Sequence, residues 1–510
     1  TDFLYGTWIP RSLKHAPKGI KKALSFGQQL TVRWLHSEWQ ENFFDQPKEV
    51  ALKFTRDMCL YLGMEFDGKH FEDLHDLGYL PIKIKSLPEG METDPNVPHM
   101  TFINTVSGFA WLTLYLETII SSLAWKPSTS ATIALQYRRN LVEWVAKTDP
   151  SNAWLIDFLA HDFSARGLSP WDMLASGLGH ASSFKGSDSI IVIPGARYFY
   201  DESEDEVCIN SVNASEHSVS TTKIFTVGES QMIADWLKIF DKGILSIVSD
   251  TFDLWKLITE YLPDNKEAIM ARDGKLVIRP DSGDPVDIIC GLNYIEIKDR
   301  YEFYGSEGDV VKFEGKFYKA ISDEDMDGGF FFEELKKQPN ENEIKGVIEL
   351  LWDIFGGTVN EQGYKVLDPH IGAIYGDSIT LDRQLQIYGR LEAKGFASTN
   401  IVLGVGSFTY QYNTRDTLGF AAKGAWFQAE GHDYDIYKDP VTDDGTKKSL
   451  KGRVAVFMNE GKCLVETQCT PEQEATGLLQ TIYEDGKFFN QTSLTEIRKR
   501  TSELSHLITE

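Results

Sequence analysis

Paired cysteines are missing from this chain. The five present (Cys59, Cys208, Cys290, Cys463, Cys469) are odd in number and widely spaced, and no CxxC occurs. That excludes a disulfide framework and a zinc ribbon, and it reads as a reducing, cytoplasmic compartment. Long hydrophobic runs are missing too: none approaches the roughly 20 residues of a membrane span. The N-terminus has no signal-peptide pattern. It opens without Met, as DFLYGTWIP, like the inside of an element, so further residues are expected ahead of it. Positive charge is scarce, with 51 Lys and Arg against 76 Asp and Glu, a net charge of −25. Such a surface excludes non-specific nucleic-acid binding. It also makes any local group of cations telling, because the remainder repels anions.

What is there, over 510 residues, exceeds one core, and two or three domains are expected. The organising stretch is 276–285, LVIRPDSGDP. Three apolar residues read as a buried strand, and Arg279, Pro280, Asp281, Ser282 and Gly283 follow at once. A strand followed by a capped turn would look the same. The stretch has company, however. Residues 244–250 (ILSIVSD), 371–378 (IGAIYGDS) and 400–407 (NIVLGVGS) are apolar runs that stop at Asp, Gly or Ser. Each precedes a helix-like pattern, at 251–261, 381–394 and 416–425. The run 189–193 (SIIVI) stands before a Pro-Gly turn. Strand, polar end and helix in repetition predict βα units on a parallel sheet, with a site at the C-terminal strand ends.

The flanks read differently. Residues 47–62 have helical spacing, 80–89 (LPIKIKSLPE) alternates like a half-exposed strand, and 111–125 and 129–147 read as two helices. Residues 290–342 alternate like a β hairpin around the acidic turn SDEDMDGG. They read as an insertion between barrel strands without chemistry of their own. Residues 437–453 hold a basic run, ordinarily a solvated loop, and 493–507 a final helix. The division expected is a 1–150 N-terminal α+β domain, a 151–414 α/β barrel, and a 415–510 C-terminal segment packing on the first.

Three polar segments complete the pattern. In HDFSARG (161–167), Phe163 and Arg166 lie three apart, and Asp162 or Ser164 would serve as a helix cap. In FKGSDSI (184–190), Lys185 precedes Asp188, which would equally suit a turn. In NASEHS (213–218), Glu216 stands beside His217, an acid–base pair or a structural histidine. With Ser249, Asp253, Arg279, Asp281, Gly376, Asp377, Gly404, Gly406, Arg415, Lys423 and Lys438, they form a set of cations, carboxylates and glycines. Glycine turns after a strand offer backbone N–H groups to a phosphate, and cations neutralise it. No serine among them has an evident base.

Nine segments, in order, resemble nicotinamide phosphoribosyltransferases of the type II phosphoribosyltransferase family: LPIKIKSLPEG, HDFSARG, FKGSD, ASEHS, SIVSDTFD, LVIRPDSGDP, YGDS, GVGSFTYQYNTRD and YKDPV. The resemblance implies an irregular TIM-like α/β barrel plus an α+β domain, in a homodimer with active sites at the subunit interface. It implies synthesis of nicotinamide mononucleotide and pyrophosphate from nicotinamide and phosphoribosyl pyrophosphate, with magnesium bound largely through the pyrophosphate. It places Phe163 on the pyridine ring and Asp188 on the carboxamide. Arg279, Asp281, Gly376 and Asp377 fall at the amide and ribose, and Gly406 and Ser407 at the 5′-phosphate. Arg166 falls at pyrophosphate, with Lys423 and Lys438 from the partner chain; Arg415, also from the partner, meets the 5′-phosphate. Arg11 matches a further arginine near pyrophosphate. His217 matches a histidine phosphorylated by ATP, with Glu216, Ser249 and Asp253 around it, which implies facultative ATP hydrolysis. The family's N-terminal stacking tyrosine is not visible, and Ser407 and Phe408 stand where glycines are common. The alternatives are a nicotinate phosphoribosyltransferase and a non-catalytic homologue. Asp188 favours the amide, since it would repel a carboxylate ligand.

Overall fold

The computed structural model describes residues 1–323, 329–376, 378–439, 442 and 449–506. Asp377, most of the acidic turn and much of the basic run at 437–453 lie outside the described residues. The chain divides into two compact units: Thr1–Arg139, Asp162–Asn210 and Ser407–Glu510 form one, and Asn140–His161 with Ser211–Gly406 the other. Residues 162–210 thus group with the two terminal segments.

The second unit is built on a parallel sheet, in the order Ala160–Asp162, Ile401–Val405, Ile371–Tyr375, Asp273–Arg279, Lys242–Val248, Asn213–Ala214. Its registers bring Val248 beside Arg279, Ile278 beside Ala373 and Ala373 beside Ile401. All five residues of Ile371–Tyr375 are buried. Covering both faces of a parallel sheet is what turns its strands into continuous apolar runs. Among the described residues this sheet has six strands and is a curled parallel half-barrel of the irregular α/β type. The helix Leu381–Ala393 starts where Thr380 accepts the Arg383 N–H (3.2 Å). It buries Leu381, Gln384, Ile387, Tyr388 and Leu391 at helical spacing. The helix Pro285–Cys290 starts at Asp284, whose carboxylate takes the N–H groups of Val286 and Asp287. Residues 251–261 do not form one regular helix: a turn at Leu254–Lys256, capped by Asp253, widens into a π-helical turn at Leu257–Tyr261. The expected insertion is a four-stranded sheet, Ile295–Glu296, Val310–Phe313, Lys316–Asp323 and Gly329–Glu334. It has a small core of Ile297, Phe303, Val311 and Ala320.

The first unit centres on a seven-stranded antiparallel sheet, in the order His432–Asp435, Phe420–Ala429, Phe3–Pro10, Met100–Asn104, Ile82–Ser86, Gln480–Glu484, Lys487–Phe488. Ile82–Ser86 alternates buried and half-buried, as its sequence predicts. Four expectations are corrected. Residues 416–425 are not a helix: after a single turn at Arg415–Thr417, Gly419 (φ 63°) reverses the chain into the strand Phe420–Ala429, paired with Phe3–Pro10. The Ala and Gly there suit a helix, but strand pairing overrides propensity, with Trp8 stacked on Phe420 at 4.2 Å. The run at 189–193 leads into the helix Val192–Tyr200, because Val192, Ala196, Phe199 and Tyr200 bury one helical face. Two expected helices are one, Ala110–Thr148, with Pro127 inside. Residues 47–62 form two short helices, Lys48–Ala51 and Lys53–Tyr61, that leave Val50, Phe54 and Leu62 exposed.

Candidate active site

In the parallel unit, the strands Lys242–Val248 and Asp273–Arg279 end side by side, and their polar tails interlock. Ser249 is fully buried. Its backbone N–H reaches the Arg279 carbonyl (3.1 Å), its hydroxyl donates to the Ile247 carbonyl (2.8 Å), and it accepts the Arg279 N–H (3.1 Å). Ser249, expected in the surroundings of His217, is engaged with backbone and holds the two strand ends together. The next residue, Asp250, joins the two tails through its side chain. Asp250 accepts the Asp281 N–H (2.9 Å) and the Ser282 hydroxyl (2.5 Å) on Oδ2. Its Oδ1 lies 3.8 Å from His217 Nε2. Oδ1 is buried without a hydrogen-bond partner, and so is Arg279 Nε. Buried polar atoms left unpaired by the protein are costly, and each calls for a partner.

Gly376, at the end of Ile371–Tyr375, closes on the same group. A Cβ there would stand 3.1 Å from Asp281 Oδ1 and 3.8 Å from Arg279 Cδ, so a side chain would press on both. Ser378 follows at φ 54°, its carbonyl taking the Arg383 guanidinium (2.6 Å). His217 is the first residue of the helix His217–Val227 and is 44% exposed at the side chain. Glu216 caps that helix through the Ser218 N–H (2.8 Å), and this bond holds its carboxyl below the usual range. Below the turn, the Ser215 hydroxyl accepts the Val248 N–H (2.9 Å) and ties it to the sheet. Asp253 caps the following turn through the Lys256 N–H (3.0 Å). The carboxylate facing His217 is thus Asp250, which the sequence reading passed over between Ser249 and Asp253. Its signal was its place at the polar end of an apolar run, where each neighbouring strand also carries Asp, Gly or Ser.

In the antiparallel unit, a second group gathers around the segment after His161. Asp162 and Ser187 form a parallel bridge, which sets the Phe163 turn beside the Asp188 turn. Asp188 is exposed and Phe163 half-buried. Arg166 is exposed on the turn Ala165–Gly167. A Cβ on Gly167 would lie 2.3 Å from Ser407 Cβ, so only glycine lets that turn lie against the start of the helix Ser407–Gln411. Gly404 and Gly406, in and just after the strand Ile401–Val405, are buried in the parallel unit. Arg415 and Lys423 line one pocket with Glu117, Ser121, Ser122 and Trp125. Lys423 is paired there with Glu117 (3.1 Å), and Arg415 with its neighbour Asp416 (3.0 Å). Arg11 donates to the Gly419 carbonyl (3.2 Å), Lys185 is half-buried and Lys438 is exposed.

Parallel strand ends bearing Arg, Asp and close-packed glycines are where α/β enzymes carry their sites, and comparison with known proteins gives the class, a phosphoribosyltransferase. The chain belongs to the nicotinate phosphoribosyltransferase (NAPRTase) family, whose model matches residues 158–487. It is 39% identical to a nicotinamide phosphoribosyltransferase of Acinetobacter baylyi, over 99% of this chain and 93% of that protein. A nicotinamide phosphoribosyltransferase of Mycoplasma pneumoniae is 32% identical over 79% of this chain and 76% of its own. Among solved structures, human nicotinic acid phosphoribosyltransferase shares the fold: TM-score 0.50, 14% identity, covering 99% of this chain and 89% of that one.

Proposed function

We propose that the chain transfers the phosphoribosyl group of phosphoribosyl pyrophosphate to the ring nitrogen of nicotinamide, yielding nicotinamide mononucleotide and pyrophosphate. The observation that carries this is the end-to-end relationship to the Acinetobacter baylyi enzyme. Asp188 supports the amide as substrate. A carboxylate gains a hydrogen bond from a carboxamide and repels nicotinate.

The reaction needs no covalent enzyme nucleophile. Departure of pyrophosphate leaves an oxocarbenium-like ribose, and the enzyme positions the base and stabilises charge. Phe163 stacks on the pyridine. Arg279 and Asp281 hold the amide oxygen and the ribose hydroxyls, and Gly376 and Asp377 line the sugar. Gly406, Ser407 and Arg415 take the 5′-phosphate, and Arg166, Lys423 and Lys438 the pyrophosphate, with Arg11 near it. Among the described residues, no three His, Cys, Asp or Glu stand close enough to hold a metal. Magnesium would arrive on the pyrophosphate, where it would supply charge neutralisation of the leaving group. In this reading Lys423, Lys438 and Arg415 serve the site of a second copy in a homodimer.

His217 is the proposed phosphoryl acceptor from ATP. Its half-exposed imidazole faces the Asp250 carboxylate. A cytoplasmic setting accords with five unpaired cysteines. Among the described residues, no helix is long and apolar enough to cross a membrane.

The test is incubation with phosphoribosyl pyrophosphate, magnesium and either nicotinamide or nicotinate, followed by chromatography of the mononucleotides. Nicotinamide mononucleotide is expected; equal or better use of nicotinate would overturn the reading. Repeating the assay with ATP, which is expected to stimulate the wild type, and with His217→Ala tests the phosphohistidine. The variant should keep basal synthesis and lose the stimulation, and stimulation that survives would remove His217 from that role.

A further inference from the structure

We infer that Asp162 is the positioning residue of the pyridine pocket: its buried carboxylate fastens the turn bearing Phe163 to the turn bearing Asp188. The inference rests on the reading of those two side chains as the contacts to the base.

Asp162 is fully buried. Its main chain bridges the second turn in both directions: its N–H reaches the Gly186 carbonyl (3.1 Å), and its carbonyl takes the Asp188 N–H (2.9 Å). Its side chain then acts on both turns. Oδ1 accepts the Ser164 N–H (2.9 Å), one residue past Phe163. Oδ2 accepts the Ser187 hydroxyl (3.4 Å), one residue before Asp188. That hydroxyl also accepts the Ser189 N–H (3.0 Å), one residue beyond Asp188. Phe163 is therefore flanked by two fixed residues, 162 and 164, and Asp188 by two more, 187 and 189.

A carboxylate can do this. It accepts on two oxygens at once, so one group serves a donor from each turn. Burying it is costly unless hydrogen bonds answer it, and these two do so. Substitutions grade the effect. Asparagine keeps an acceptor for the Ser164 N–H and offers an N–H₂ to the Ser187 oxygen, which can accept it. Alanine leaves both donors unpaired and the turns uncoupled. Removing only the Ser187 hydroxyl loosens the Asp188 turn and leaves the Phe163 turn held.

The experiment compares steady-state kinetics of the wild type, Asp162→Asn, Asp162→Ala and Ser187→Ala, with each substrate varied in turn. Asp162→Ala should raise KM for nicotinamide about 10- to 100-fold, the scale of a misplacement near 1 Å. Its KM for phosphoribosyl pyrophosphate should stay within about threefold. Asp162→Asn should recover KM for nicotinamide to within about threefold of wild type, and Ser187→Ala should fall between. An unchanged KM for nicotinamide, or equal rises for both substrates, would overturn the inference. If Asp162→Ala does not fold, Ser187→Ala decides, and a wild-type KM there counts against Asp162. Wild-type turnover of nicotinamide tests the underlying reading separately. Should nicotinate be the substrate instead, that reading fails, and the same split measured with nicotinate still decides the role of Asp162.

Discussion

Glu474 in the antiparallel unit and Asp250 in the parallel one are both buried carboxylates, 2% and 6% exposed at the side chain. Their surroundings differ. Lys85 (2.8 Å) and Arg453 (2.8 Å) close on the two oxygens of Glu474, and Arg453 also lies over the rings of Tyr5 and Trp426. Burial first, and then the Glu474 charge, pushes the Tyr5 hydroxyl far above its ordinary value. Asp250 has one oxygen engaged with Asp281 and Ser282 and the other without a partner, facing His217. A saturated buried carboxylate holds a fold together. One with a single oxygen engaged keeps acceptor capacity on the other.

The sharpest test of that difference separates stability from turnover. Glu474→Ala strands two largely buried cations and should cost about 3–5 kcal/mol in urea denaturation. Turnover per folded molecule should be unchanged at low temperature. Asp250→Asn keeps the shape and an acceptor for the Asp281 N–H. It should shift stability by less than about 1 kcal/mol while lowering kcat/KM about 100-fold. Equal losses of stability in the two variants would erase the distinction.

Asp188 adds a third case, an exposed carboxylate whose backbone is fixed and whose side chain has solvent access. If such a group acts through selectivity and not stability, Asp188→Ser should cut the preference for nicotinamide over nicotinate about tenfold, about 1.4 kcal/mol. Thermal stability should stay near wild type. Measuring kcat/KM for both bases checks this, and an unchanged ratio would make Asp188 a turn residue.

These contrasts mark what could be read without coordinates. The parallel sheet was legible because strands covered on both faces must be apolar throughout, and each run stops at Asp, Gly or Ser where it meets solvent. Arg279, Asp281 and Gly376 were legible for the same reason, and they do gather. Asp250 was not, because four polar residues follow Val248 within five positions and only the lateral pairing with Asp273–Arg279 selects one of them. The strand Phe420–Ala429 was hidden by its alanines, since its partner, Phe3–Pro10, is some 400 residues away in sequence. Asp162 was legible as a cap but not as a clasp, because its second turn begins more than 20 residues later.

His99 shows another way in which the antiparallel unit buries a titratable group. It is fully buried beside Trp8 and Phe420, with Nε2 2.8 Å from the Thr93 hydroxyl and no carboxylate paired with it. Burial lowers its pKa from the usual 6.5 to about 3. In the native state the ring stays neutral down to that value, while in the unfolded chain it takes up a proton near 6.5. Between those limits the unfolded state binds more protons, so stability falls as pH falls and is retained above the unfolded value. From pH 7 to about pH 5.5 the loss should be about 1 kcal/mol. His99→Gln keeps a polar partner for Thr93 and removes the titration, so its urea midpoint should vary less across that window. Identical pH slopes for the variant and the wild type would show that His99 is not the group that titrates.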